Sequence, residues 1–141
     1  MFLWTATELK TGGVFGLVWG IMDWLLGGID APVLSLAVLM VVDFVTGVAV
    51  AYRGRMLSSR IGSHGVMKKV GILLCIVVAV MLDNVMGTMF FRGMVITGFA
   101  IIEAMSLVEN VDKLGYGDII PDFLRVHLAR IASEKHIKED K

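Results

Sequence analysis

Residues 32–52, PVLSLAVLMVVDFVTGVAVAY, decide the fold. They form an apolar run broken by one acid, Asp43, and have the length a helix needs to cross a hydrocarbon core of ~30 Å. Two more such runs follow. Residues 70–91 read VGILLCIVVAVMLDNVMGTMFF, and residues 93–111 read GMVITGFAIIEAMSLVENV. Lipid offers no water to unpaired backbone groups, so all three are expected to be α-helices. Composition agrees: of 141 residues 57% are hydrophobic and 18% charged, and the mean hydropathy is +0.80. A soluble domain this small has too little interior to hide that much apolar sequence. The expected fold class is an all-α integral membrane protein with three strong transmembrane helices.

Working outward, residues 14–28 are apolar but interrupted by Gly16, Gly20 and Asp23. This segment reads as a fourth span, a re-entrant half-helix or an interfacial helix, and Trp19 and Trp24 suit an interfacial edge. No cleavable signal is expected, because no basic start precedes a short apolar core. Past residue 111, Gly115 and Gly117 mark turns and Pro121 suits a first helical position. Leu124, Leu128 and Ile131 then share one helical face, while Arg125, Arg130 and Glu134 lie elsewhere, which predicts an amphipathic tail helix. The chain divides into a Gly/Trp-rich segment (1–31), a three-helix membrane domain (32–111) with a basic loop (53–69), and a charged tail (112–141).

Charge sets the orientation. Arg53, Arg55, Arg60, Lys68 and Lys69 lie in that loop without an acid, whereas the opposite loop offers only Arg92. The positive-inside rule puts the basic loop and the tail in the cytoplasm. The total net charge is zero and gives no sign of a nucleic-acid partner.

The informative residues are acids where lipid should be. Asp43, Asp83 and Glu103 each lie within a run, and an acid facing lipid near mid-membrane costs roughly 2.5–3.5 kcal/mol. They are expected to face other helices or water, or to be protonated, with Thr46, Ser106 and Asn110 extending the polar edges. Small residues at four-residue spacing, Gly47 and Ala51 in one run and Gly71, Cys75, Ala79 and Gly87 in the next, predict close helix packing. No basic residue is expected at the depth of Asp43 or Glu103, which leaves them hydroxyls, amides, water and each other. Glu109 is placed within reach of Lys68 or Lys69, and Asp83 within reach of Arg92. The set reads as a wet path formed where subunits meet, or as static hydrogen bonding inside a bundle.

Catalytic chemistry is poorly represented. His64, His127 and His136 are scattered, the single Cys75 sits in an apolar run, and no phosphate loop or nucleophile motif occurs. No enzyme activity, cofactor or metal is expected.

Taken in order, Asp43-Phe-Val-Thr-Gly47, Leu57-Ser-Ser-Arg-Ile-Gly-Ser-His-Gly65 with Lys68-Lys69, Glu103-Ala-Met-Ser-Leu-Val-Glu-Asn110 and Gly117-Asp-Ile-Ile-Pro121 resemble the bacteriophage holin family that includes clostridial toxin-secretion holins. The resemblance covers roughly residues 27–124. It implies a protein of the bacterial inner membrane that forms homo-oligomers and opens timed lesions. Those lesions would collapse the membrane potential and release an endolysin or a toxin, and an antiholin is a further partner class. Holins have no catalytic residues to carry over. The residues alone also admit a small ion channel or transporter subunit, or an antiholin-type structural partner.

Overall fold

The computed structural model describes residues 6–124, 126–127 and 130, and side-chain burial from residue 10. Four helices follow one another: α1 (Ala6–Leu26), α2 (Ala31–Arg53), α3 (Ser59–Met86) and α4 (Phe90–Val111). Residues Asp112–Tyr116, which kink at Gly115 (φ +86°), and a short 3-10 turn, Gly117–Ile119, extend α4. The described residues contain no strand. Three helices are long and apolar enough to cross a membrane: α2, α3, and α4 with its extension. α1 is a continuous helix of 21 residues, running through the glycines and Asp23, but it is not one of those three.

Local chemistry sets the boundaries. Asp30 caps α2, its carboxylate accepting from the Val33 amide at 3.3 Å, with Pro32 in the first turn. Ser58 caps α3 in the same way through the Ile61 amide at 3.3 Å. At its far end α3 closes on Gly87 in the left-handed conformation, φ +65°. This start corrects the expected loop over residues 53–69. Residues 59–69 are the first turns of α3, not loop, and only residues 54–58 join it to α2. At 28 residues α3 is about 42 Å long, and Lys68 and Lys69 lie inside it.

The helices pack through stripes of 3–4 spacing. Val33, Leu36, Met40 and Asp43 are the buried residues of α2, and Ile72, Ile76, Ala79, Val80 and Asp83 those of α3. Ile96 and Glu103 are those of α4. The apolar members, joined by Leu26, form one core cluster. α2 and α4 run side by side in the same direction: Asp30 meets Arg92 near their N-termini, and Arg53 meets the Leu114 carbonyl near their C-termini. α3 runs against both. Between α2 and α3 an apolar groove of about 480 Å³ stays open, lined by Val33, Ala37, Phe44, Val66, Leu73 and, at one wall, Lys69.

Among the described residues α1 meets this bundle mainly through its C-terminal end, with Trp19 lining the groove between α2 and α3. Residues 10–24 are exposed, and the exposed apolar side chains from Val14 to Trp24 lie all around the helix. Leu128, Ile131, Arg125 and Glu134 of the expected tail helix lie outside the described residues. Residues 122–124, 126–127 and 130 are helical.

The turn from α1 into α2 needs glycine at Gly27, where φ is +70° and an added Cβ would lie 3.0 Å from Arg92 Nε and 3.1 Å from Val80. A Gly27→Ala change should therefore cost about 1–2 kcal/mol for the left-handed backbone alone, read as a lower thermal midpoint in detergent. Gly16→Ala, in open space within α1, is the control and should leave the midpoint unchanged or raise it.

Candidate functional site

Two polar clusters hold the helices together, one at mid-helix and one at the end where α1, α2, α3 and α4 meet. The mid-helix cluster is built by the same stripes that build the core. Asp43 follows Met40 on α2, and Glu103 lies seven residues after Ile96 on α4. Lys69 precedes Ile72 and Ile76 on α3 at the same spacing. The Lys69 ammonium donates to Asp43 Oδ2 at 2.6 Å and also to Glu103 Oε2, so one cation ties three helices. The Lys69 and Asp43 side chains are 14% and 11% exposed, and that of Glu103 is fully buried. Lys68, half exposed, stands 3.3 Å from Glu103 Oε1. That approach pairs the charges, but Oε1 receives no hydrogen bond.

Asn110 completes the cluster from α4. Its amide donates to Asp43 Oδ1 at 3.2 Å, to the Asp43 carbonyl at 3.3 Å and to Thr46 Oγ1 at 3.2 Å. The Thr46 hydroxyl in turn donates to the Val42 and Asp43 carbonyls, and Ser106 interacts with the Asp43 carboxylate. An added Cβ on Gly47 would meet Asn110 Nδ2 at 3.6 Å, an ordinary contact, so α4 passes close to this position without requiring glycine there. Two carboxylates and two ammoniums sum to zero charge. Bringing them out of water still costs several kcal/mol per ion, offset only while every partner stays in place.

The pairing differs from the sequence reading in three ways. A basic residue does reach the depth of Asp43 and Glu103, because α3 begins early and carries Lys69 inward. Lys68 and Lys69 serve as counter-ions in the bundle, and Glu109 pairs instead with Lys113 at 2.8 Å. Arg92 meets Asp83 through its backbone amide, while its guanidinium goes elsewhere. The missed signal is the spacing of Lys69, Ile72, Ile76, Ala79 and Asp83, which puts Lys69 on the core stripe of α3 once the helix is extended back.

The second cluster centres on Asp83 and Arg92. Met89 precedes α4 and gives it no side-chain cap. Asp83 supplies one from α3: its carboxylate accepts from the Phe91 and Arg92 amides at 3.0 and 2.8 Å and from the Thr88 hydroxyl at 2.6 Å. Arg92 then gathers the chain ends. Its Nε donates to the Leu26 carbonyl at 2.7 Å, Nη2 to the Gly28 carbonyl at 2.8 Å, and both Nη atoms to the Asp30 carboxylate at 2.8–2.9 Å. This fork geometry is specific to arginine. Asp23 also accepts from the Ile29 amide at 2.7 Å and closes the same turn.

Other residues singled out by spacing lie apart from both clusters. Ala79 is buried and Ala51 half-buried, Cys75 is exposed, and added Cβ atoms on Gly71 and Gly87 would meet nothing within 4 Å. Arg55, Arg60 and His64 are exposed, and His127 Nδ1 lies 3.1 Å from the Phe123 carbonyl. His136 lies outside the described residues. Among the described residues no group of three or more His, Cys, Asp or Glu is arranged to hold a metal ion. What the site does hold is a neutral set of ions, with Asp43, Lys69 and Glu103 largely buried and Lys68 half exposed, whose partners sit on different helices.

Removing one ion should leave the others stranded. Lys69→Met is expected to destabilise the bundle by roughly 3–5 kcal/mol, measured by unfolding in mixed micelles. The triple change Asp43→Asn, Lys69→Met, Glu103→Gln should recover most of that loss. At the other cluster, the Arg92 guanidinium holds the Asp30 carboxyl below its usual 3.8. The stability it contributes is present above that value and lost as pH falls through the lowered one. Between about pH 5 and pH 2 the thermal midpoint of the wild type should therefore fall towards that of Asp30→Asn.

A bacteriophage holin family model matches residues 20–133. An uncharacterized protein of Clostridium perfringens is 35% identical over 132 residues, which is 92% of this chain and 95% of that one. A 14.9 kDa protein encoded in the nagH 3' region of the same species is 34% identical, covering 83% of this chain and 93% of its own. An uncharacterized protein of Listeria innocua is 31% identical over 90% of each chain. No solved structure matches.

Proposed function

Because the chain belongs to the bacteriophage holin family, we propose that it is a holin: a protein that assembles in the bacterial inner membrane and opens lesions at a set time. The family match across most of the chain carries this reading. The mid-helix ion cluster supports it physically. A lesion-former must be stable as a closed bundle in lipid, yet able to present a wet face once assembled. In the closed protomer Asp43, Glu103, Lys68 and Lys69 neutralise one another. In the assembled form the same groups, with Thr46, Ser106 and Asn110, line water, which replaces the partners they lose.

Exposed small residues on α3, Gly71 and Cys75, serve contacts between subunits, where backbones can approach closely. Asp83 stays with the α3–α4 turn and keeps those helices moving as a pair. α1 crosses as a fourth span: its 21 residues cover about 32 Å, and its exposed apolar side chains from Val14 to Trp24 lie all around the helix, beyond Glu8 and Lys10 at its start. Arg53, Arg55 and Arg60 place the α2–α3 turn and the C-terminal tail in the cytoplasm, and α1 then starts there too. The lesion passes an endolysin or a secreted toxin and collapses the membrane potential. The protein is not an enzyme and needs no cofactor.

The neutral cluster also bears on timing. A unit charge moved across the membrane is worth ~2.3 kcal/mol per 100 mV, but a paired set moves no net charge. The potential therefore acts on the cluster only as its ions separate, and a separation that carries the acids towards the negative cytoplasmic side is opposed by the field, which favours the closed form in an energised cell.

Expression of the chain alone in a bacterium should give abrupt growth arrest after a delay, with a cytoplasmic reporter enzyme outside once a cell-wall hydrolase is supplied. Arrest with the reporter retained would point to an ion-conducting pore. Unarrested growth with the protein in the membrane would favour an antiholin-type partner. Asp43→Asn and Glu103→Gln should each shift the onset of arrest or blunt its advance by an uncoupler. Normal onset and normal uncoupler response in both would sink the timing mechanism.

A further inference from the structure

We propose that the turn between α2 and α3 is a binding site for the headgroup of an anionic phospholipid. Five residues, 54–58, make this connection, and three backbone bonds hold it against the end of α2: Gly54 to Val50, Arg55 to Tyr52 and Met56 to Ala51, at 3.0–3.1 Å. Arg55 takes a left-handed conformation, φ +51°, which keeps the turn tight. The basic residues around it fall into two groups. Arg53 donates to the Leu114 carbonyl, and Lys68 and Lys69 are committed to Glu103 and Asp43. The Arg55 and Arg60 side chains are exposed and make no ion pair or hydrogen bond with the described residues. No acid occurs between Arg53 and Lys69.

Beside these two cations stands an apolar group that has no use in water. Tyr52, Met56, Leu57 and Ile61 are 73%, 69%, 55% and 45% exposed. They sit where α2 ends and α3 begins, at the level where hydrocarbon gives way to headgroups. Two guanidinium forks next to exposed apolar side chains match a phosphodiester joined to acyl chains, the phosphate taken by arginine and the chains by Met56, Leu57 and Ile61. A zwitterionic headgroup brings its own cation and gains less from two unneutralised arginines. The inference rests on α2 and α3 spanning the bilayer and not on lesion formation.

The test uses the full chain in nanodiscs of equal phosphatidylglycerol and phosphatidylcholine, with retained lipid identified by native mass spectrometry. The wild type should retain phosphatidylglycerol in preference. Arg55→Gln with Arg60→Gln should reduce that preference by roughly tenfold or more, from the contribution of two basic residues at an anionic surface. Met56→Ser with Leu57→Ser should lower total retained lipid while keeping the headgroup preference. Equal retention of both lipids by the wild type, or an unchanged preference in the arginine variant, would overturn the proposal. So would displacement of the lipid by inorganic phosphate, which would mark the turn as a general phosphate site. A chain that does not enter nanodiscs would instead refute the spanning reading beneath it.

Discussion

The Lys69 ammonium joins α2, α3 and α4 at one point, and the arrangement of the bundle depends on it. Apolar contacts alone are poor organisers inside a bilayer, because lipid tails are as apolar as the side chains they would replace. A buried ion has no such indifference. Asp43 and Glu103 can lie in hydrocarbon only while Lys69 lies between them, so the rotation of each helix about its own axis is fixed by where its charge must point. The residues packed above the cluster, Leu36, Met40, Ile72, Ile76 and Ile96, share those stripes and take their inward orientation with it.

The opposite end is governed by backbone chemistry. α4 starts without a capping side chain of its own, and the last turn of α1 leaves carbonyls without helical partners. Asp83 and Arg92 satisfy both needs, each reaching across a turn to groups that would otherwise face lipid unpaired. The two clusters therefore differ in kind. The Asp83–Arg92 end is held by hydrogen bonds to main-chain atoms that no rearrangement can dispense with cheaply. The mid-helix cluster is held by side chains that can exchange one another for water, and the open groove between α2 and α3 leaves Lys69 close to the surface on that side.

Much of the fold was legible in the sequence, since three runs near 20 residues have few solutions in a bilayer. α2 and α4 begin and end within about three residues of the apolar runs that predict them. The start of α3 was not legible from hydropathy, which reports preference for lipid and not for helix. A basic stretch such as residues 59–69 can be fully helical while looking like loop, and Ser58 as a cap was the available clue. Lys69 was missed for the same reason and for one more: its partners are 26 and 34 residues away in sequence, beyond any local pattern. Asp83 as a cap for the following helix is likewise invisible until Met89 is known to offer none.

The separation of these partners along the chain has a consequence for how the protein is made. Helices reach the membrane in the order of synthesis, and α2 arrives with Asp43 unpaired. Lys69 follows 26 residues later and can neutralise it, but Glu103, 34 residues further on, is needed to complete the set. A helix released singly into lipid would strand a charge at each stage. Each stranded charge costs roughly 2.5–3.5 kcal/mol, so holding α2 and α3 in a hydrated setting until α4 is complete, and letting the three partition together, is the route that avoids the penalty. The same ions that orient the finished bundle thus favour a collective insertion of the three helices over a sequence of independent ones.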